Sequence, residues 1–226
     1  MQHNDFWRGV KEAIPVSLGF IPFGLLLGSL AAQKGFLPWQ ISLFTGTNFA
    51  GGSEFTAISL WTDPVNIGLV VAMSALVNSR YFIMGATFSL YLKGYSKLKS
   101  MGMIFLMCDE SWAMGIADAH KQKQKTLNAK YYMGVSLNLY LCWIFFTGLG
   151  AYLGPILGDI KQYGFDMAFV AVFFVLLKGM WKGAKQSRPW LVSLIVAGIF
   201  YHTFDGAWYV AGGAISGILA AYFWGE

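Results

Sequence analysis

Long apolar runs with ionisable residues set inside several of them constrain this chain more than any other feature. A helix needs about 20 mostly apolar residues to cross hydrocarbon. Seven regions reach or approach that length, at about 12–32, 37–62, 65–92, 101–118, 130–157, 164–180 and 190–224. The fourth is short. The last is too long for one ordinary span, since its 35 residues as helix would reach about 52 Å against a core of about 30 Å. It is expected to form two shorter helices meeting near Asp205–Gly206, inside H-T-F-D-G at 202–206. Hydrophobic residues make up 56% of the chain and charged residues 12%, where a soluble domain carries roughly 25% charged. A soluble globule of 226 residues cannot cover its surface with so few charges. Mean hydropathy of +0.53 agrees. The nine Trp suit membrane–water interfaces. The reading is an all-α, polytopic membrane bundle of about 7–8 segments, several broken or re-entrant, forming a single domain over 1–226. Its N-terminus lacks the form of a cleaved signal peptide, so the first run is expected to be a permanent span.

The net charge of +5 does not point to nucleic acid, because Lys and Arg sit in short gaps between apolar runs, where cytoplasmic retention explains them. Arg8 and Lys11 precede the first run, and Lys93, Lys97 and Lys99 follow the third. Lys121, Lys123, Lys125 and Lys130 follow the fourth, and Lys178, Lys182, Lys185 and Arg188 follow the sixth. Only Lys34 and Lys161 occupy other loops, and Arg80 lies within a run. If every region crosses once, 93–99 falls outside, against the positive-inside tendency. If the second and fourth regions dip in and return, all four clusters lie in the cytoplasm, with the N-terminus. Both regions carry the glycine or acidic interruption such a path needs. The alternative is a plain bundle of seven or eight spans with imperfectly sorted loop charges.

Ionisable groups at lipid depth cost several kcal/mol unless paired or solvated, so they default to functional candidates. In T-G-T-N-F-A-G-G-S-E-F-T at 45–56, Gly51 and Gly52 allow the backbone to leave the helix and expose polar groups. Asn48, Ser53 and Glu54 would flank that opening, where half-helix ends favour a carboxylate or an ammonium. The structural alternative is close helix packing, with Glu54 paired to Arg80. Asn78 and Arg80 lie in the third run, and the Arg fork suits a carboxylate, whether substrate or internal acid. Asp109 and Glu110 are adjacent, so they point about 100° apart on a helix. A carboxyl poised in such a place can take and release a proton, as a proton-coupled carrier requires; the alternative is a pair facing a water-filled vestibule. His202 and Asp205 flank the last break, where a helix-breaking turn competes with a proton relay.

Other patterns carry no chemistry. The two cysteines, Cys108 and Cys142, suggest neither a disulfide framework nor a metal site, and neither cofactor nor metal is expected. G-L-G-A-Y-L-G at 148–154 follows no strand and is not a dinucleotide loop. Gly24/Gly28 and Gly213/Gly217 have the spacing of close helix contact.

The chain resembles the AzlC/YgaZ family, the larger subunit of branched-chain amino-acid exporters. The likeness runs almost end to end, through I-P-V-S-L-G-F-I-P-F-G at 14–24, F-A-G-G-S-E-F at 49–55, N-S-R-Y at 78–81 and C-D-E-S-W-A at 108–113. It continues through W-I-F-F-T-G-L-G-A at 143–151 and G-F-D-M-A-F-V-A-V-F-F at 164–174. The resemblance implies export of branched-chain and related neutral amino acids across a bacterial inner membrane, with a small partner of the AzlD/YgaH type. Two positions depart from the family's pattern, which usually has Gln where Glu54 stands and His where Tyr81 stands. A carboxylate at 54 alters the charge of the candidate site. The expectation is a secondary carrier whose substrate contacts come from Asn48, Gly51, Gly52, Ser53, Glu54, Asn78 and Arg80, with Asp109, Glu110 and Asp205 handling protons. A carrier of another polar or cationic solute, and a channel-like subunit, are the alternatives. An intramembrane enzyme lacks any matched nucleophile and base.

Overall fold

A computed structural model describes residues 4–157, 183–185, 187–204 and 208–224. Among these residues there are ten helices and no strand. Two helices are long and apolar enough to cross a membrane, over Asp5–Gln33 and Ala129–Ile156, and a third candidate is a pair of helices bent by 40°.

The two long helices, α1 (Asn4–Gln33) and α8 (Ala129–Leu157), form the spine. They run parallel and in step: Gly9 lies against Tyr131 and Val135, Gly24 against Phe146, and Gly28 against Thr147 and Ala151. A Cβ at Gly28 would collide with the Thr147 carbonyl, so small residues set the approach, as between helices in lipid. The expected role of Gly24 and Gly28 in close packing is borne out. Pro15 and Pro22 lie inside α1, where they delete two intrahelical donors, a loss that neighbouring helices make tolerable.

Between these spines come three interrupted helix pairs. The first joins α2 (Pro38–Asn48) to α3 (Gly51–Ser59). Its outer ends lie together, since Phe36 packs edge-on against Trp61 at 4.8 Å and Lys34 Nζ donates to the Trp61 carbonyl at 3.0 Å. That is the end where α1 finishes. Its tip reaches mid-length on α8: Tyr140 Oη donates to the Gly46 carbonyl at 2.6 Å and Trp143 donates to Glu54 at 2.9 Å. Trp143 is the central residue of α8, with fourteen residues on either side. The 37–62 region therefore folds as a hairpin whose two ends meet.

The second pair, α4 (Ile67–Asn78) and α5 (Arg80–Tyr91), bends at Ser79 and runs the length of the molecule. Asn66 caps its start by accepting from Leu69 N–H at 3.1 Å. It finishes beside the start of α8, where Leu127 N–H donates to the Tyr91 carbonyl at 3.0 Å.

The third pair, α6 (Lys97–Phe105) and α7 (Asp109–Lys121), is a second hairpin. Tyr95, just before it, donates to the Leu127 carbonyl at 2.6 Å, and His120, at its close, meets Tyr91 at 2.8 Å. Both ends thus lie where α1 and α8 begin. Arg8 of α1 fastens that end by a fork onto Asp118 of α7 at 2.7 and 3.2 Å, with its guanidinium 4.2 Å from the Tyr131 ring centre. The basic segments 93–99 and 121–130 consequently share one end with Arg8, and Lys34 sits at the other.

Finally α9 (Arg188–Thr203) and α10 (Trp208–Trp224) pack antiparallel. Gly213 faces Ser193 and Ala197, and Gly217 faces Ser193, so this second glycine pair also packs as expected. The last run forms two shorter helices, as expected of it. Asp205 and the region at about 164–180 lie outside the described residues.

Candidate functional site

The tips of the two hairpins and the bend of the crossing pair meet near the middle of α8. Tyr140 marks the seam: it bonds the Gly46 carbonyl on the first tip, its ring lies 5.1 Å from Phe49, and it lies 6.0 Å from Phe105 on the second. Three helix interruptions, at Phe49–Ala50, Ser79 and Leu106–Cys108, therefore converge.

The first interruption differs from the sequence expectation. The chain turns at Phe49, which takes a left-handed φ of 44°, and Gly51 and Gly52 lie inside the first turn of α3. The glycines are used for closeness rather than for the turn. Gly51 lies under the Trp143 ring, and an added Cβ at Gly52 would sit 3.5 Å from Arg80 Nη2. Asn48 Nδ2 donates to Ser53 Oγ at 3.2 Å, and Ser53 Oγ donates to the Ala50 carbonyl at 2.9 Å. These bonds brace the break from both sides.

Glu54 is sealed within this hairpin, with no exposed surface. Its carboxyl accepts from Thr45 Oγ1 at 2.6 Å, from the Ala50 N–H at 2.8 Å and from Trp143 Nε1 at 2.9 Å. The Ala50 N–H is an orphan donor at the start of α3, the kind of group a side chain in the first turn can satisfy. Glu54 thus ties α2, α3 and α8 into one unit.

Arg80 is not its partner. The guanidinium pairs with Asp109 at 2.7 Å, across from the start of α5 to the start of α7. The side chains are 46% and 41% exposed, so this pair is open where Glu54 is closed. Asp109 sits at a helix N-terminus, where the dipole favours negative charge. The turn before it is held by Ser111 Oγ, which accepts from Cys108 N–H at 2.9 Å. Glu110 is half-buried beside it. The Oδ1 of Asn78 is buried with no hydrogen-bond partner. A buried carbonyl oxygen left so is uncommon and calls for a reason.

The structure thus draws Gly52, Arg80 and Asp109 into contact, with Asn48, Ser53 and Asn78 at the same breaks. It separates Glu54 from Arg80. His202 lies exposed in the last turn of α9. Three residues the sequence reading passed over complete the arrangement: Thr45 and Trp143, which hold Glu54, and Tyr140, which joins the tips. Thr45 stood at the head of the 45–56 segment, but nothing local marked it as a carboxylate donor. A groove of about 980 Å³ runs along the outer face of α1, α2 and α8, lined by Ile14, Leu18, Trp39, Leu141 and Phe145. Its lining holds no Asp, Glu, His, Lys or Arg, and of its few polar side chains Ser17 donates to Asn138.

The sequence family described as AzlC protein matches residues 15–157, a stretch that contains all three breaks. This chain belongs to the AzlC family. The branched-chain amino acid transport protein AzlC of Bacillus subtilis is 25% identical over 201 residues, 85% of this chain and 76% of that protein. The inner membrane protein YgaZ of Escherichia coli is 22% identical over 150 residues, 66% of this chain and 61% of that protein. An uncharacterized membrane protein of Helicobacter pylori J99 is 26% identical over 194 residues, 83% of each chain. No solved structure matches significantly. AzlC proteins are membrane transport proteins and not enzymes.

Proposed function

We propose that this AzlC-family protein is a secondary active exporter of branched-chain or related neutral amino acids across a bacterial inner membrane. The observation that carries the reading is the open Arg80–Asp109 pair at the meeting point of three broken helices, near the midpoint of a helix long enough to span a bilayer. Charges held at that depth are costly, and broken helices there are tolerated where they line a cavity. The name of the Bacillus subtilis relative supports the substrate class.

In this reading the end holding Arg8, 93–99 and 121–130 faces the cytoplasm. The α6–α7 hairpin enters from there, and α2–α3 enters from the opposite side. With α1, the α4–α5 span, α8, α9, α10 and the run expected at about 164–180, that makes eight segments. Asn48, Gly51, Gly52, Ser53, Asn78 and Arg80 form the substrate opening, and Glu54 fixes its shape from behind. Asp109, Glu110 and Asp205 carry the proton coupling, and a small membrane subunit of the AzlD/YgaH type completes the exporter.

Counterflow of labelled valine in proteoliposomes tests the reading. Saturable exchange is expected from a carrier, and an open pore does not show it. Absence of exchange for every neutral amino acid tried would remove the substrate assignment. A cysteine placed at position 97 is expected to react with an impermeant maleimide from the cytoplasmic side, and labelling only from outside would overturn the hairpin topology.

A further inference from the structure

We propose that the Arg80–Asp109 ion pair is a latch opened by the solute, and that it selects molecules bearing a free carboxylate and a free ammonium on one carbon. The inference rests on the reading of this junction as a transport site and adds to it how a solute is recognised and what its binding releases.

The two ends of α7 are held differently. Its far end is tied to α1 through the Arg8–Asp118 fork, with Asp118 almost wholly buried. In the first turn of α7, three residues from Asp109, Trp112 Nε1 donates to the Met84 carbonyl of α5 at 3.2 Å. Its tip is held to α5 by Arg80–Asp109, a half-exposed pair. Opening that pair frees the Cys108–Asp109 turn, while Trp112 and the base of the hairpin stay anchored.

The pair presents complementary hosts. A guanidinium offers a planar fork that receives a carboxylate through two parallel bonds, and a carboxylate accepts from an ammonium. An α-amino acid carries both groups on one carbon, so one molecule replaces a single Arg–Asp contact with two charge-assisted contacts. Binding a carboxylate alone leaves Asp109 without its cation, and binding an amine alone leaves Arg80 without its anion. A one-ended analogue breaks the Arg80–Asp109 contact and makes only one contact in return, so it gains little from opening the pair and binds more weakly than a molecule that makes two. Gly52 leaves bare backbone beside the guanidinium. Glu54 cannot compete for either host, because its three donors engage it inside the first hairpin.

Cys108 reports on the latch. It precedes Asp109, caps the start of α7 and is 7% exposed. In the full-length protein carrying Cys142→Ala, the rate of Cys108 alkylation by a small maleimide is measured with valine, valinamide, N-acetylvaline or no addition. Labelled-valine counterflow with the same compounds as competitors runs alongside. Valine is expected to raise the alkylation rate several-fold, and the two one-ended analogues to leave it unchanged and compete at least tenfold more weakly. Arg80→Gln is expected to raise the rate without valine and to abolish the response. Equal competition by either analogue, or an alkylation rate indifferent to both valine and Arg80→Gln, would overturn the latch. A valine response in a protein that exchanges no neutral amino acid would uphold the latch and overturn the exporter. A substituted protein that fails to fold is recognised by its loss of monodispersity, and Arg80→Lys then serves: it keeps the charge, loses the fork, and is expected to raise the half-saturating valine concentration about tenfold.

Discussion

The two hairpins each present a carboxylate at mid-depth and treat it in opposite ways. In α2–α3, Glu54 is shut away and bonded by three donors from α2, the α3 start and α8. In α6–α7, Asp109 reaches outward to an arginine on another element and stays partly open. The contrast teaches that an acid within an apolar run does not by itself mark a binding group. An acid whose oxygens are fully engaged by its own scaffold fixes shape. An acid whose one partner lies across a movable joint is available to a third party.

The most severe way to probe that contrast is Glu54→Ala. It leaves the Thr45 hydroxyl, the Ala50 N–H and the Trp143 indole without their acceptor in a sealed space. Each unpaired buried donor costs about 1–3 kcal/mol, so a loss of about 3 kcal/mol or more is expected. Thermal unfolding in detergent, with size-exclusion profiles, reads this directly. A variant as stable as the parent would show that the three bonds do little, and the contrast would collapse.

Glu54→Gln should cost less, about 1–2 kcal/mol. The amide keeps one carbonyl acceptor, and the Thr45 hydroxyl can rotate to accept from the new NH₂. Valine counterflow should persist, because the open pair is untouched. Loss of flux with an intact fold would move Glu54 from scaffold to substrate contact. Trp143→Phe removes one donor and retains most of the ring, and about 1 kcal/mol is expected, as for interhelical hydrogen bonds in membranes.

How far this division was readable in the sequence depends on distance along the chain. The two long helices and the packing glycines were legible, because composition and local spacing carry them; the hairpin form of 37–62 and 101–118 was one of two readings that charge placement left open. Gly28 was flagged as a contact residue, but its partner Thr147 was not, since nothing in the spacing of one helix names the helix it meets. Glu54 and Arg80 were flagged and offered to each other as opposite charges. The structure instead gives Glu54 an indole 89 residues away and gives Arg80 the neighbouring hairpin's acid. The break at Ser79 was not foreseen, because it uses no glycine or proline; its one trace is the polar triplet Asn78–Ser79–Arg80 inside an apolar run.

The smallest expected change in stability decides the contrast most cleanly. Asp109→Asn removes one member of a half-exposed ion pair, and such pairs contribute about 1 kcal/mol or less. In the proposed reading the opening is water-filled, so Arg80 stays hydrated at its open side and no sealed charge is left behind. Unfolding temperature should therefore barely move, far less than for Glu54→Ala. Valine exchange should nonetheless fall to background, because the ammonium has lost its carboxylate. A large drop in unfolding temperature would mean that Asp109 is held as Glu54 is held. Unchanged stability with unchanged exchange would place the solute elsewhere in the junction. Only lost exchange on an intact fold keeps the two carboxylates in different roles.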